Sequence, residues 1–239
     1  MNKSMKASAL LVAGIFALSG CGSSDDSAAA DSPAADSPSP TPTLAVGQDQ
    51  YSADELEAAL TAVKTAQGLT GDVENDATLR PQMEEATLSG ITATPEQCNI
   101  LVSSFFDEKI GEGNLGTVGI NDSDTLMLIS YKDASVLEKQ AESSAQLVKD
   151  CAEFQMEADG RVINGSVESL EASTDAPSTQ AYRSVITRAD GGEASTIQVS
   201  GLSGTLNLSV TLFDPADAEG AVAEAEKSIN AALSELEKK

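Results

Sequence analysis

The chain of 239 residues contains no histidine and no tryptophan, and it has only three tyrosines and five phenylalanines. Without histidine, neither a Ser-His-Asp triad nor a Cys-His pair can form, and the imidazole ligands of common zinc and copper sites are missing. Few aromatic side chains are left for stacking against sugars. A pair of carboxylates for glycoside hydrolysis stays open, because such residues meet only in space. The composition nevertheless predicts a protein that is not an enzyme and has no cofactor and no metal site.

Basic residues are also scarce, at 14 Lys and Arg against 38 Asp and Glu, and the formal net charge is −24. Phosphate binding needs clustered cations, so we expect no nucleic-acid partner and no electrostatic binding to anionic lipid. The acidic clusters at Asn121–Asp124 and at Asp214 with Asp217 lack the ligand spacing of a calcium loop. Turn and helix-capping roles are predicted for both.

The first 20 residues contain an apolar run, Ala7–Ala17, that is much shorter than the roughly 20 residues of a membrane-spanning helix. Lys3 and Lys6 precede the run, and Leu-Ser-Gly-Cys follows it at residues 18–21. The pattern resembles the signal peptides of bacterial lipoproteins. The resemblance implies cleavage after residue 20 and a diacylglycerol on the thiol of Cys21. We therefore expect a lipid-anchored protein on the extracytoplasmic face of the cell membrane.

Residues 21–48 are rich in Ser, Asp, Ala and Pro and have almost no large apolar side chains before residue 44. Such a segment cannot bury a core, so a disordered tether of polyproline II character is predicted. It is either a bare spacer or an O-glycosylated stalk. Residues 49–239 have the length of one domain and are predicted to form a single exported domain.

Four helices are predicted in this domain. Ser52 and Glu55 form a capping box for the first, and Thr94–Pro95 begins a second that carries Cys98. Asp133 caps a third helix and Asp214–Pro215 precedes the last. On the second helix Cys98 shares a face with apolar side chains, at Leu101, Val102 and Phe105.

Five clear strands are predicted, at residues 125–131, 161–170, 180–188, 193–202 and 205–213. Glycine-containing turns at residues 190–192 and 201–204 join the later strands as hairpins. In the last strand four apolar residues alternate with polar ones, so one face is expected to be buried and the other exposed. Residues 68–90 and the glycine loop Gly111–Gly116 are interpreted as irregular. The fold class is α+β, with an antiparallel sheet of about five or six strands and helices on one face.

Besides Cys21 the chain has two cysteines, Cys98 and Cys151. Both are predicted to point inward from two different helices. In an oxidising compartment such a pair favours a disulfide, which would join the two helices.

The order of these features resembles the extracellular sensor domain of the mycobacterial serine/threonine kinase PknH. It consists of Pro-Glu-Gln-Cys at residues 95–98, a glycine loop, a strand leading into an Asp-Ala-Ser helix that ends at Cys151, a meander and an alanine-rich final helix. Related domains also occur alone as actinobacterial lipoproteins. The chain departs from that domain in having one cysteine pair instead of two, and Leu147 or Val148 where a tryptophan is expected. No ligand residues can be transferred from it.

The sequence therefore predicts a non-catalytic, sensor-like surface lipoprotein that binds a small ligand or a neighbouring envelope protein. The alternative is an envelope lipid or glycolipid carrier with an apolar cavity. A transport-associated solute-binding protein fits less well, because such proteins usually have two α/β lobes and a longer chain.

Overall fold

The structure is a computed structural model that describes residues 46–85, 92–99, 113–158, 160–188 and 191–238. Its helices are α1 Ala53–Gln67, α2 Asp76–Glu85, α3 Ser135–Asp150 and α4 Ala218–Leu236, and a 3-10 turn spans Glu96–Asn99. Its strands are β1 Val73–Asn75, β2 Thr92–Thr94, β3 Asn114–Gly119, β4 Thr125–Ser130, β5 Glu153–Ala158, β6 Arg161–Ser169, β7 Ser178–Thr187, β8 Glu193–Ser203 and β9 Leu206–Phe213. Cys21 and the predicted signal peptide lie outside the described residues.

In the described part of the chain, nine strands form one sheet in the order β1-β3-β4-β9-β8-β7-β6-β5-β2. All neighbouring strands are antiparallel. The predicted α+β class with an antiparallel sheet is confirmed, but five or six strands is too few. The missed strands are β1, β2, β3 and β5, and two of these have only three residues.

The stretch of residues 68–90 is not irregular throughout, because it contains β1 and α2. The glycine loop is also shorter than predicted, because β3 begins at Asn114 and includes Gly116. A side chain at Gly116 would approach the Leu60 side chain of α1 to 2.8 Å, so glycine lets the helix lie close to this strand.

Helix α1 begins at the predicted capping box. The Ser52 hydroxyl accepts a hydrogen bond from the Glu55 N–H at 3.3 Å, and the Glu55 carboxylate accepts one from the Ser52 N–H at 2.8 Å. Gly68 ends the helix with a positive φ of 68°, where glycine is favoured. Local sequence therefore fixes both ends of this helix.

Helices α1 and α4 cover one face of the sheet, which we call the packed face. The apolar residues of β9 point to this face, as predicted, and pack with the stripe of α4 that includes Ala225, Ile229 and Leu233. Asp217 caps α4 by accepting hydrogen bonds from the N–H groups of Glu219 and Gly220. Because Asp214 instead binds the β8 backbone, the helix begins three residues later than expected.

The opposite face, which we call the cleft face, is also covered, so the prediction of helices on one face only is wrong. Leu137 near the start of α3 packs in a cluster with Leu115 and Ile129. Leu147 near its end packs in a second cluster with Phe154 and Val167. Helix α3 thus lies across the cleft face and rests on an apolar cluster at each end.

The predicted disulfide between Cys98 and Cys151 is present, with an S–S distance of 2.10 Å and a Cα–Cα distance of 5.7 Å. It joins the 3-10 turn to the residue that ends α3, and not two helices as expected. Thr94 does not cap a helix, because it pairs with Gln155 as the last residue of β2. Leu101, Val102 and Phe105 lie outside the described residues.

The N-terminal end of the described chain is bound to the turn between β8 and β9. The Ser203 hydroxyl donates to the Val46 carbonyl at 2.7 Å, and the Thr205 N–H donates to the Gly47 carbonyl at 2.7 Å. Val46 is only 2% exposed. Val46 and Gly47, which the sequence assigns to the tether, therefore pack as part of the domain.

Among the described helices, none combines the length and the apolar character needed to cross a membrane.

Candidate ligand-binding cleft

A cleft of about 410 Å³ lies between α3 and the cleft face of the sheet. Leu137 and Leu147 are ten positions apart on α3, which corresponds to about 15 Å along the helix axis. Their clusters support the helix at two points. Between these points Gln140, Ser143 and Ser144 face the cleft instead of a packed core.

The floor of the cleft is built from small polar side chains on the central strands. In one row of cross-strand neighbours Ser209 lies beside Ser200, which lies beside Gln180. In the next row Thr211 lies beside Gln198, which lies beside Tyr182. Side chains two residues apart on a strand share a face, so these rows form one polar surface.

The walls of the cleft are apolar. On one side lie Met127 and Ile129 of β4, and on the other lie Phe154, Met156 and Ile186 of β5 and β7. The polar floor between them spans β9, β8 and β7, which is on the order of 10 Å between the outer two strands. A ligand in the cleft therefore meets polar groups below and apolar groups at its edges.

The two ends of the cleft differ in exposure. Asn207 at the start of β9 is 4% exposed, and its Oδ1 atom has no hydrogen-bond partner within the described residues. Phe213 at the other end of the strand is 50% exposed. They are six positions apart on β9, or about 20 Å along the strand. The cleft is thus closed at Asn207 and open at Phe213.

The lining of the cleft is nearly uncharged, although the chain carries a net charge of −24. Among the described residues that line it there is no carboxylate, and Lys139, whose side chain is exposed, is the only charged residue. The Tyr182 hydroxyl donates a hydrogen bond to Gln198 Oε1 at 2.6 Å. Burial raises the pKa of Tyr182 to about 12, so its hydroxyl stays protonated at neutral pH.

This set of groups can bind a molecule but offers little for catalysis. Hydroxyl and amide groups dominate, and no lining residue within the described ranges is a carboxylic acid or a thiol that could act as a base near neutral pH. In the same part of the chain, no three His, Cys, Asp or Glu residues lie close enough together to hold a metal ion.

Among the described residues, the cysteine pair and the acidic clusters singled out from the sequence do not line the cleft. The disulfide belongs to the cluster that supports the end of α3. In the first acidic cluster, Asn121 Oδ1 accepts from the Asp124 N–H at 2.9 Å and Asp124 Oδ1 accepts from the Phe213 N–H at 2.8 Å. Their predicted turn role is confirmed.

Asp214 also has a structural role. Its carboxylate accepts hydrogen bonds from the Ser195 N–H at 2.7 Å and from the Arg188 guanidinium at 2.6 Å. The Ser195 hydrogen bond, together with the Arg188 charge and hydrogen bond, lowers the pKa of Asp214. The aspartate therefore fixes the end of β9 close to the opening of the cleft.

Sequence reasoning missed the cleft because it assigned the polar positions of the last strand to solvent. One signal could have shown otherwise: Asn207, Ser209 and Thr211 are all small and uncharged in a chain rich in carboxylates. The neighbouring positions of β8, Thr196, Gln198 and Ser200, are uncharged as well. A strand face that meets only water would be expected to carry charges.

No family model matches this chain, and no curated protein sequence matches it. Among solved structures it is similar to the extracellular domain of PknH from Mycobacterium tuberculosis, with a TM-score of 0.49 and 12% identity over 81% of this chain and 100% of that one. It is also similar to an uncharacterized protein from Mycobacterium smegmatis, an ortholog of Rv0999, with a TM-score of 0.43 and 14% identity over 76% and 96%. The resemblance to the PknH domain is therefore confirmed.

Proposed function

We propose that the protein is a lipid-anchored extracytoplasmic domain that binds a small molecule in the cleft and catalyses no reaction. The observation that carries the proposal is the Oδ1 atom of Asn207, which is buried at the closed end of the cleft without a partner among the described residues. Leaving a buried acceptor unpaired costs about 1–3 kcal/mol. A ligand that donates a hydrogen bond to this atom would remove the cost.

The dimensions of the cleft favour a small ligand over a carried membrane lipid. Its volume of about 410 Å³ is in the lower part of the range for small-molecule sites, roughly 300–1,000 Å³. A carrier of two-chain lipids needs a larger cavity with an apolar lining throughout. Here the floor is polar and only the walls are apolar, so the cleft does not suit a two-chain lipid.

The binding site can be tested by filling the cleft from α3. Ser144 lines the cleft, and replacing it by tryptophan (Ser144→Trp) should occupy part of its volume. Its neighbour Ala145 is exposed on the outer side of the helix, so Ala145→Trp is the matched control. A fragment screen by NMR on the chain from Gly22 onward should give hits that shift the amide signals of Ser200 and Ser209.

The hits should be lost in Ser144→Trp and kept in Ala145→Trp. If the screen finds hits that neither tryptophan affects, the ligand site lies elsewhere. If it finds none at all, the small-molecule proposal fails.

The lipid anchor needs a separate experiment in cells. Cys21→Ala should remove labelling by a palmitate analogue and release the protein from the membrane fraction, because an acidic chain of this kind has no second signal for membrane binding. Ser23→Ala leaves both the proposed acylation site and the disulfide intact and serves as the control. An unlabelled Cys21→Ala protein that stays in the membrane to the same extent would refute the anchor.

A further inference from the structure

We infer that the cleft selects an uncharged, hydroxyl-bearing amphiphile of small-molecule size, such as a single-chain glycoside. The inference rests on the proposed function and specifies the ligand class. It follows from three properties of the described lining residues: their lack of charge, the unpaired acceptor at the closed end, and the separation of polar floor from apolar walls.

The lack of charge disfavours ionic ligands. A charged group at the floor of the cleft would lose its water without gaining an opposite charge, and the desolvation penalty of such a group is large. Lys139 does not supply an opposite charge inside the cleft, because its side chain is exposed. A neutral group avoids the penalty.

The polar atoms of the floor specify what the neutral group must carry. Asn207 Oδ1 is an acceptor, so the ligand must present an O–H or N–H donor to it. The hydroxyls of Ser200, Ser209 and Thr211 can each donate or accept. A group with several hydroxyls can bind this surface in many of its orientations, whereas a group with acceptors alone leaves Asn207 unpaired.

The apolar walls favour a ligand that also has an alkyl part. Met127 and Ile129 on one side and Phe154, Met156 and Ile186 on the other offer apolar surface within the same cavity. Burial of an alkyl group against them is favourable in proportion to the area removed from water. Half-exposed Phe213 at the open end gives further apolar surface to a chain that leaves the cleft.

The test uses probes that share one alkyl chain and differ in the polar group. Octyl glucoside is neutral and hydroxylated, octyl sulfate is an anion, octyltrimethylammonium is a cation, and glucose has no chain. Each is titrated calorimetrically, below its micelle concentration, into the chain from Gly22 onward. Octyl glucoside should bind at least about tenfold more tightly than the other three, a difference of about 1.4 kcal/mol.

Two variants locate the binding. Asn207→Leu should weaken octyl glucoside binding by about tenfold or more, because the acceptor is lost. Asn164→Leu changes an exposed residue of β6 outside the cleft lining, so it is the matched control and should leave the affinity unchanged. Ser144→Trp should also abolish binding, which guards against an Asn207 variant that fails to fold.

The outcomes separate this inference from the proposed function. Tighter binding of the sulfate or the ammonium probe that Ser144→Trp abolishes would refute the neutral class and keep the site. Equal binding of glucose would refute the need for an apolar part. If octyl glucoside does not bind, or binds equally to Ser144→Trp, the ligand class is wrong, and the fragment screen then decides separately whether the cleft binds any ligand.

Discussion

The two faces of the sheet are formed by the same strands but are covered differently. On the packed face, Leu206, Leu208 and Val210 lie in a continuous apolar core under α1 and α4. On the cleft face, Asn207 and Ser209 alternate with them beneath a helix that touches the sheet mainly at its ends. The packed face supplies stability through buried area, whereas the cleft face is less completely packed and leaves a cleft of about 410 Å³.

Removing the disulfide, which holds the end of α3 on the cleft face, should cause the largest loss of stability. Replacing both Cys98 and Cys151 by alanine frees a loop of 53 residues, and the chain-entropy estimate is a loss of about 4 kcal/mol in the free energy of unfolding. Urea denaturation measures the loss. Amide exchange should show faster opening of α3 than of β8 and β9. Uniform loss of protection in all three elements would contradict a difference between the faces.

The next largest loss of stability should come from a substitution in the core of the packed face. Leu208 is fully buried in its core, so Leu208→Ala should lower the free energy of unfolding by about 2–5 kcal/mol. Ser209→Ala, the adjacent position on the cleft face, is the matched control and should change stability by less than about 0.5 kcal/mol. Similar losses in the two variants would show that both faces are packed alike.

A smaller effect of opposite sign is expected at Asn207. In the absence of ligand, Asn207→Leu removes an unpaired buried acceptor and should raise the free energy of unfolding by about 1–2 kcal/mol. Thermal unfolding of the ligand-free chain tests this, with Asn164→Leu as the exposed control. A loss of stability would indicate that Asn207 is already paired in the ligand-free chain, and would contradict a ligand that donates a hydrogen bond to it.

The last effect is the pH dependence caused by Tyr182, which is absent at neutral pH. Its pKa is about 12 in the folded chain against an ordinary 10.0, so the unfolded chain loses this proton first. The contribution is complete below pH 10 and is lost as the pH rises from 10 to about 12. The decrease in stability over that range should be less steep in Tyr182→Phe. Identical slopes in the two proteins would show that the hydroxyl is not shielded from water.

Local signals in the sequence predicted much of the packed face. The capping box of Ser52 and Glu55 identified α1, and alternation in residues 205–213 identified β9 and its buried side. Strands β1 and β2 have three residues each, which is too short for any periodicity to show. They form only because longer partners, β3 and β5, lie next to them in the sheet.

The cleft was harder to predict. The alternation of apolar and polar residues along a strand indicates which residues share a face, but it does not indicate which element covers that face. Helix α3 was recognised, yet its position over β7 depends on contacts far apart in sequence, such as the hydrogen bond from the Gln180 amide to the Ala141 carbonyl at 3.0 Å. The disulfide was predictable from cysteine number alone. The element that carries Cys98 was not, because pairing of Thr94 with β5 outweighs its preference for a helix start.

The hydrogen bonds of Val46 and Gly47 to the turn between β8 and β9 also determine how the domain would experience mechanical force. Tension on the chain before Val46 enters the molecule at Ser203 and Thr205. The Thr205 hydroxyl also donates to the Asp49 carbonyl at 2.9 Å, so a pull is shared among several bonds. Thr205 is two residues before Asn207, so the force reaches the turn that leads directly into β9, one of the strands that form the floor of the cleft.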